Sequence, residues 1–119
     1  MGRHLLNKED LKDKKVHVRF TDDEYDELKG YCERTGVRPS DVIRRAINLV
    51  SLKVQCGIYR TPEYLETKKN QKRKGKSVVL DAKVKNGIFR QLWIDSYNAR
   101  MKKTELVEES VLEIIRKQI

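Results

Sequence analysis

The hexapeptide KVHVRF, residues 15–20, decides the fold of this chain. Apolar and hydrophilic residues alternate along it, which is the period of a β-strand with one buried and one exposed face. The apolar face consists of Val16, Val18 and Phe20, and the cationic face consists of Lys15, His17 and Arg19. We therefore expect a half-buried strand that turns a row of cations toward solvent.

The residues that follow this strand predict two helices. Thr21-Asp22-Asp23-Glu24 has the form of a capping box, and its acids suit the positive end of a helix dipole. Gly36 predicts the end of the first helix, because glycine takes left-handed backbone at little cost. Ser40 is the predicted N-cap of the second helix. The apolar stripe of that second helix is Ile43, Ala46, Ile47 and Val50.

The same design recurs 64 residues later (84 − 20 = 64), without a gap. Phe20 corresponds to Val84, and Leu28 corresponds to Leu92. Ser40 and Ile47 correspond in the same way to Thr104 and Val111. Two copies of one small unit predict a tandem architecture in which each copy needs a partner, either the other copy or another chain, to close its core.

The second copy keeps this plan with some departures. Its strand directs Val79, Asp81 and Lys83 outward and Leu80, Ala82 and Val84 inward. Its second helix opens at Lys103-Thr104 and is expected to bury Val107, Ser110, Val111, Ile114 and Ile115. Lys85 replaces the capping threonine, with Asn86 as a substitute. Arg100 replaces the terminating glycine, so we expect the helix to end differently, at Asn98. Phe89, Trp93 and Tyr97 have helical spacing and are expected in the core.

The charge balance narrows the class of partner. The chain has 119 residues with 27 Lys and Arg against 18 Asp and Glu, a net charge of +9. Such an excess indicates an anionic partner, nucleic acid first and a membrane surface second. Short apolar runs predict neither a membrane span nor a signal peptide. Two cysteines without a CxxC motif favour an intracellular, cytoplasmic protein.

Composition also divides the chain into four parts. These are a flexible arm over 1–14, a first unit over 15–53, a basic connector over 54–76 and a second unit over 77–119. Within the connector, Thr61-Pro62-Glu63 predicts a helical turn. Its cationic run includes Lys72, Arg73 and Lys74, which are candidate phosphate contacts. A solvated linker is the other interpretation of this run.

A strand, two helices and a basic outer strand face resemble the ribbon-helix-helix family, which includes the Arc and Met repressors. The resemblance is carried by residues 15–24 and 36–43, and more loosely by the second copy. A tandem form also looks like regulators from viruses of hyperthermophilic archaea. The resemblance implies an α+β protein of two tandem ribbon-helix-helix units, whose strands pair as an antiparallel two-stranded ribbon. Intramolecular pairing into a pseudo-dimer is preferred to pairing between chains, and further copies would cover longer DNA.

In this family the ribbon enters the major groove and the starts of the second helices bind phosphates. The resemblance therefore implies one set of base-reading residues and one set of phosphate-binding residues. The base-reading set is Lys15, His17, Arg19, Val79, Asp81 and Lys83, although Asp81 departs from the usual cationic or neutral reader. The phosphate-binding set, at the starts of the second helices, is Arg38, Ser40, Lys102, Lys103 and Thr104.

These features predict a sequence-specific double-stranded-DNA-binding transcriptional regulator, either a repressor or an activator. The alternatives are an antitoxin-type module that binds DNA and a protein partner, and a nonspecific nucleic-acid coat protein. Two histidines without ligand spacing predict no metal, and no cofactor is expected. Glu108 and Glu109 lack a convergent acidic or histidine partner, so we do not expect an enzyme.

Overall fold

The computed structural model describes residues 13–70 and 77–117. These residues form two strands and five α-helices, with a single 3-10 turn before the third helix. In chain order they are β1 (Asp13–Phe20), α1 (Asp22–Thr35), α2 (Pro39–Gln55), the 3-10 turn (Ile58–Arg60), α3 (Pro62–Asn70), β2 (Val78–Lys85), α4 (Asn86–Ala99) and α5 (Lys103–Lys117). The order strand–helix–helix therefore occurs twice. None of the described helices is long and apolar enough to cross a membrane.

The two strands pair with each other in an antiparallel sheet, so the predicted α+β class and the predicted antiparallel ribbon are confirmed. β1 begins at Asp13, where a carboxylate oxygen lies 3.1 Å from Lys85 Nζ across the end of the ribbon. Asp13 and Lys14 therefore belong to the strand, and their assignment to the flexible arm was wrong. Residues 1–12 of that arm lie outside the described residues.

The register of the two strands is symmetric. Lys15 lies opposite Lys83, and Arg19 lies opposite Val79. Val79 is the counterpart of Lys15 in the repeat, and Lys83 is the counterpart of Arg19, so exchanging the two strands turns one of these pairs into the other. The pair of His17 with Asp81 lies at the centre, and these two residues are themselves counterparts (81 − 17 = 64). An approximate two-fold axis therefore passes through this central pair.

The inner face of the ribbon closes the hydrophobic core. Val16, Val18 and Phe20 are buried on β1, and Ala82 and Val84 are buried on β2. Beneath the ribbon α2 packs against α5, and each of these helices also contacts the strand of the other repeat. The predicted apolar stripes of both helices are buried, so those predictions are confirmed. The core consequently belongs to the two repeats together.

The helix starts follow local chemistry more closely in the first repeat than in the second. The α1 capping box is present: Thr21 Oγ1 accepts the Glu24 N–H at 3.1 Å, and a Glu24 carboxylate oxygen accepts the Thr21 N–H at 2.9 Å. In the second repeat Lys85 is the N-cap of α4 and makes no side-chain cap bond. Asn86 is the first helical residue and does not replace the threonine cap.

The prediction that Ser40 caps α2 is wrong. The N-cap lies two residues earlier, at Arg38, which makes no side-chain cap bond, and the first helical residue is Pro39. Proline has a φ angle already suited to the first helical position and no N–H that needs a partner there, so the helix starts closer to the N-terminus than predicted. α5 begins at Lys103, which makes Thr104 its second residue, as Ser40 is in α2. Neither hydroxyl residue occupies a cap position.

The two first helices end in the same way although their sequences differ. Gly36 takes left-handed backbone with φ of 75°, as predicted. Arg100 takes the same conformation with φ of 56°, and its N–H bonds to the Ser96 and Tyr97 carbonyls. α4 therefore ends at Ala99, and the expected different ending at Asn98 was wrong. The hydrogen bonds of the helix end stabilise the left-handed conformation without a glycine.

The aromatic residues of α4 do not all enter the core. Leu92, Asp95 and Ser96 form its buried face, while Phe89 is only half-buried. Trp93 is 54% exposed and Tyr97 is 83% exposed, so their predicted burial was wrong. Because the buried face of α4 runs through Leu92, Asp95 and Ser96, the aromatic positions next to it turn toward solvent.

The first part of the connector is folded onto the protein. α3 starts at Pro62, which confirms the predicted helical turn. Tyr59 is buried, and burial raises the pKa of its hydroxyl to about 12. The Tyr64 hydroxyl donates to Glu109 on α5 at 2.6 Å. Lys72, Arg73 and Lys74 lie outside the described residues.

Two glycines of the first repeat predict stability changes of opposite sign. Gly30 lies inside α1, where an added Cβ meets only Arg34 Nη1 at 3.6 Å, so Gly30→Ala should stabilise the fold by about 0.5–1 kcal/mol. Gly36→Ala should destabilise it by about 1 kcal/mol, because an L-residue is strained at positive φ. Urea unfolding measures both changes. Equal shifts for the two variants would contradict the assigned end of α1.

Candidate nucleic-acid interface

The outer face of the ribbon presents eight exposed side chains, because Asp13 and Lys85 form a row at one end in addition to the six sequence-predicted base readers. The register arranges the six in three cross-strand rows. One row carries two cations, the central row carries a base and an acid, and the last row carries a cation and an apolar residue. These rows are Lys15 with Lys83, His17 with Asp81, and Arg19 with Val79. All six sequence-predicted base-reading residues are therefore brought onto one surface.

The central row is a polar contact within the ribbon. His17 Nδ1 and Asp81 Oδ1 lie 2.5 Å apart, with side chains 61% and 48% exposed. Opposite cross-strand partners of this kind stabilise a ribbon, whereas like charges directly opposite destabilise it. The acid that looked anomalous in the sequence therefore has a partner at the centre of the face. The net cationic character of the face lies in the two outer rows.

Arg44 fixes the start of α2 beside β2. Its Nε donates to the Lys83 carbonyl at 2.8 Å, and its Nη1 donates to an Asp41 carboxylate oxygen at 2.7 Å. Arg38 Nε donates to the other Asp41 oxygen at 3.2 Å. The edge of the ribbon next to Lys83 is therefore joined to the first turn of α2.

Glu108 fixes the start of α5 beside β1 in the corresponding way. This residue is 2% exposed, and its Oε2 accepts the backbone N–H of Arg19 at 2.8 Å. Glu108 is the repeat counterpart of Arg44 (108 − 44 = 64). We call Arg44 and Glu108 the tethers. Arg44 donates to a strand carbonyl and Glu108 accepts from a strand N–H, so the two edges of the ribbon are held by groups of opposite charge.

The tethers place both helix starts close to the ribbon. Ser40 and Thr104 each precede their tether residue by four positions, which is about 6 Å along a helix axis. The first N–H groups of a helix have no intrahelical partner and attract anions. Both edges of the ribbon therefore have a helix N-terminus beside them.

Each of the two helix starts combines basic residues with one acid. At α2, hydrogen bonds from Arg38 and then Arg44 hold the pKa of Asp41 below its ordinary value, so an ionised carboxylate sits between the two arginines. At α5, Lys102 is exposed, and Lys103 Nζ lies 4.2 Å from the centroid of the Trp93 ring. Glu105, the counterpart of Asp41 (105 − 41 = 64), lies in the first turn of α5, so neither start is purely cationic.

The comparison with protein families agrees with this geometry for the first repeat. Residues 14–53, which hold β1, α1 and most of α2, match the family model of the ribbon-helix-helix domain. This segment is a ribbon-helix-helix domain. Ribbon-helix-helix domains bind DNA, typically dimerise, and act as regulators rather than enzymes. No curated protein and no solved structure matches the chain.

The contacts of Arg44 and Glu108 with the strands were missed in the sequence. The alignment of the repeats places Arg44 opposite Glu108, and this reversal of charge at equivalent positions was a usable signal. This signal indicates that the two positions have different environments. It does not give the burial of either side chain or the strand atom that each one contacts, because both depend on tertiary packing. From the sequence, Glu108 was interpreted only as an acid without a catalytic partner.

Reversing the central pair tests the register. His17→Asp places a carboxylate opposite Asp81 and should lower the free energy of unfolding by up to about 1 kcal/mol at neutral pH. The double variant H17D/D81H restores opposite partners and should recover most of this loss. Urea unfolding at low ionic strength gives both values. Equal stability of the single and double variants would show that the two side chains do not interact.

Proposed function

We propose that this protein is a sequence-specific double-stranded-DNA-binding transcriptional regulator that inserts the β1–β2 ribbon into the major groove. The observation that carries the proposal is the ribbon itself, with one face buried and the other covered by eight exposed polar, charged or small apolar side chains. Strands about 4.8 Å apart form a ribbon that fits a groove about 12 Å wide.

The rows of the ribbon suit different base edges. The Arg19 guanidinium has the geometry for two hydrogen bonds to guanine, while Lys15 and Lys83 offer less directional charge to guanine acceptors. Val79, which is 54% exposed, suits the methyl group of thymine. His17 and Asp81 complete the face as a paired centre. Because the outer rows differ, the DNA element should lack two-fold symmetry.

The helix starts supply the phosphate contacts in this proposal. Backbone N–H groups around Ser40 and Thr104 would bind phosphates on the two sides of the groove. Lys102 and Lys103 add charge at α5, and Arg38 adds less at α2 because it is bonded to Asp41. Lys72, Arg73 and Lys74 remain proposed phosphate contacts on the basis of charge alone.

We further propose that residues 78–117 form a second ribbon-helix-helix unit, so that one chain is a pseudo-dimer. The repeated element order, the symmetric register and the tethers at equivalent positions support this proposal. A chain of this kind would bind DNA without a second copy. In this proposal the protein acts in the cytoplasm, on the DNA that it regulates.

Replacing Arg19 tests base reading. Arg19→Ala should cost about 1–3 kcal/mol at a selected site and relax the preference for one base pair. The measurement is selection of bound fragments from random duplex DNA, followed by affinity titration of the selected site and its point variants. Retention of the full preference by Arg19→Ala would remove this residue from the reading face. Equal binding of all duplexes by the parent protein would instead favour a coat protein.

Replacing Lys103 tests phosphate binding. Lys103→Ala should weaken binding to every duplex and reduce the slope of log affinity against log salt by about 1. Lys117→Ala is the matched control, since it removes the same charge from the far end of the same helix. Equal salt slopes for the two variants would contradict an anchor at the start of α5. An antitoxin-type module would instead be recognised by a stoichiometric protein partner on purification.

A further inference from the structure

The segment between the two repeats forms a cleft against the second repeat. Tyr64 and Leu65 of α3 line one side of this cleft, and residues 98–102, where α4 turns into α5, line the other. Its volume is about 680 Å³, which is within the range of small-molecule sites in proteins. We call it the connector cleft. Its lining lies outside residues 14–53, which match the ribbon-helix-helix family model.

Apolar and aromatic side chains form the wall of the connector cleft. Tyr59 and Tyr64 lie edge to face, with ring centroids 5.1 Å apart. The Tyr64 hydroxyl lies 3.0 Å from the Met101 sulfur, which joins α3 to the turn before α5. Ala99 and the largely exposed Leu65 complete the wall. Because these contacts hold the two sides together, a ligand would enter the cleft with little reorganisation of the protein.

Cations surround the entrance of the connector cleft. Among the described residues, its lining carries one acid, Glu105, against three exposed cations: Arg60, Arg100 and Lys102. Arg60 Nη2 donates to the Asn98 carbonyl at 3.2 Å, which fixes the guanidinium beside the cleft. That contact uses one of the five N–H donors of a guanidinium. The entrance therefore suits a group of negative charge.

An adjoining cleft extends the apolar surface on the other side of these cations. Its volume is about 750 Å³, and it shares all three of them with the connector cleft. Trp93 and Tyr97 line it, and both are more than half exposed. Exposed apolar groups beside charged residues are typical of an interaction site. The cations thus lie between two apolar surfaces rather than on a uniformly polar one.

We propose that the connector cleft binds a small organic anion. Its apolar body would lie against Tyr64 and Met101, and its anionic group would lie among Arg60, Arg100 and Lys102. The two arginines favour a carboxylate or a similar oxyanion, because a guanidinium donates two parallel hydrogen bonds to such a group. The same cations disfavour a basic segment as the occupant, which sets aside the cationic run of the connector itself.

Binding in the connector cleft is coupled to DNA binding in this inference, a step that rests on the proposed function. Lys102 lines the cleft and immediately precedes α5, whose start is a proposed phosphate site. An anion that engages Lys102 removes that charge from a DNA phosphate. The ligand should therefore weaken DNA binding, and DNA must weaken ligand binding by the same factor.

Two probes of matched shape test the site on the full-length protein without DNA. Anilinonaphthalene sulfonate carries one anionic group on an apolar aromatic body, and N-phenylnaphthylamine has the same body without the charge. Probe emission measures binding, as does quenching of Trp93, the single tryptophan of the chain. We expect the parent protein to bind both probes. A parent protein that binds neither would overturn the proposal.

Removing one cation tests the place of the anionic group. Arg100→Gln should weaken binding of the sulfonate probe roughly tenfold, as expected for the loss of one charge-assisted contact, and should leave the neutral probe unaffected. Arg100→Gly should give the same result, because glycine takes the left-handed backbone of this position at less cost. Arg34→Gln is the matched control, since it removes an exposed arginine near the corresponding end of α1. Equal losses in Arg100→Gln and Arg34→Gln would indicate diffuse attraction to a cationic protein and would overturn the site.

Removing part of the wall tests the place of the apolar body. Leu65→Ser should weaken binding of both probes roughly fivefold, because each loses apolar contact area. Leu52→Ser is the matched control, since Leu52 is exposed to a similar extent on α2. This control should bind both probes as the parent does. Unchanged binding of both probes by Leu65→Ser would place them outside the connector cleft and contradict the proposal.

Titration with duplex DNA tests the coupling. Saturating sulfonate probe should lower the affinity of the parent protein for duplex roughly fivefold, and duplex should lower its affinity for the probe by the same factor. Arg100→Gln at the same probe concentration should keep most of its DNA affinity. An equal loss in this variant would overturn the coupling. If the parent protein fails to bind duplex, the proposed function fails, and the titrations without DNA still judge the connector cleft.

Discussion

The antiparallel ladder between β1 and β2 is the constraint on which the rest of the structure depends. A two-stranded ribbon is marginal in water by itself, and these strands are separated by 57 residues (78 − 20 − 1 = 57) rather than joined by a tight turn. Their pairing therefore relies on α2 and α5, which cover the inner face and contact each other. Arg44 and Glu108 then bond to backbone groups on the outer edges, where a free strand would expose them to other chains.

The central pair distinguishes between possible partners for each strand. In the observed register His17 meets Asp81. Pairing of β1 with another β1 in the same symmetric register would set His17 against His17, and pairing of two β2 strands would set Asp81 against Asp81. The second arrangement places two carboxylates directly opposite, which is destabilising. The pair of His17 with Asp81 thus favours pairing of β1 with β2, whether the two strands come from one chain or are exchanged between two.

Local signals predicted the parts of this fold that local chemistry controls. The alternation over 15–20, the α1 capping box and Gly36 act through neighbouring residues, and the structure confirms each of them. The start of α2 was misplaced because Pro39 outweighed Ser40, both being local signals of similar strength. The left-handed Arg100 went against its propensity because hydrogen bonds at the helix end stabilise that conformation.

Features that depend on tertiary packing were less accessible. The exposure of Trp93 and Tyr97 follows from the rotation of α4 about its axis, which the neighbouring elements set. The burial of Glu108 and the docking of Tyr64 on Glu109 follow in the same way from where α5 lies. For the candidate site, alternation alone identified the exposed strand residues, but the rows that they form required the register.

Some counterparts of the two repeats match and others have opposite character, and this contrast has a physical consequence. Buried counterparts such as Leu28 and Leu92 match because both fill one shared core. Counterparts that face strand edges, solvent or each other have opposite character, as in Arg44 with Glu108 and His17 with Asp81. A symmetric homodimer places the same residue at both equivalent positions and cannot form such complementary pairs. The proposed tandem chain can, and it would thereby gain a direction, which would allow it to distinguish the two orientations of a DNA element that a symmetric dimer binds alike.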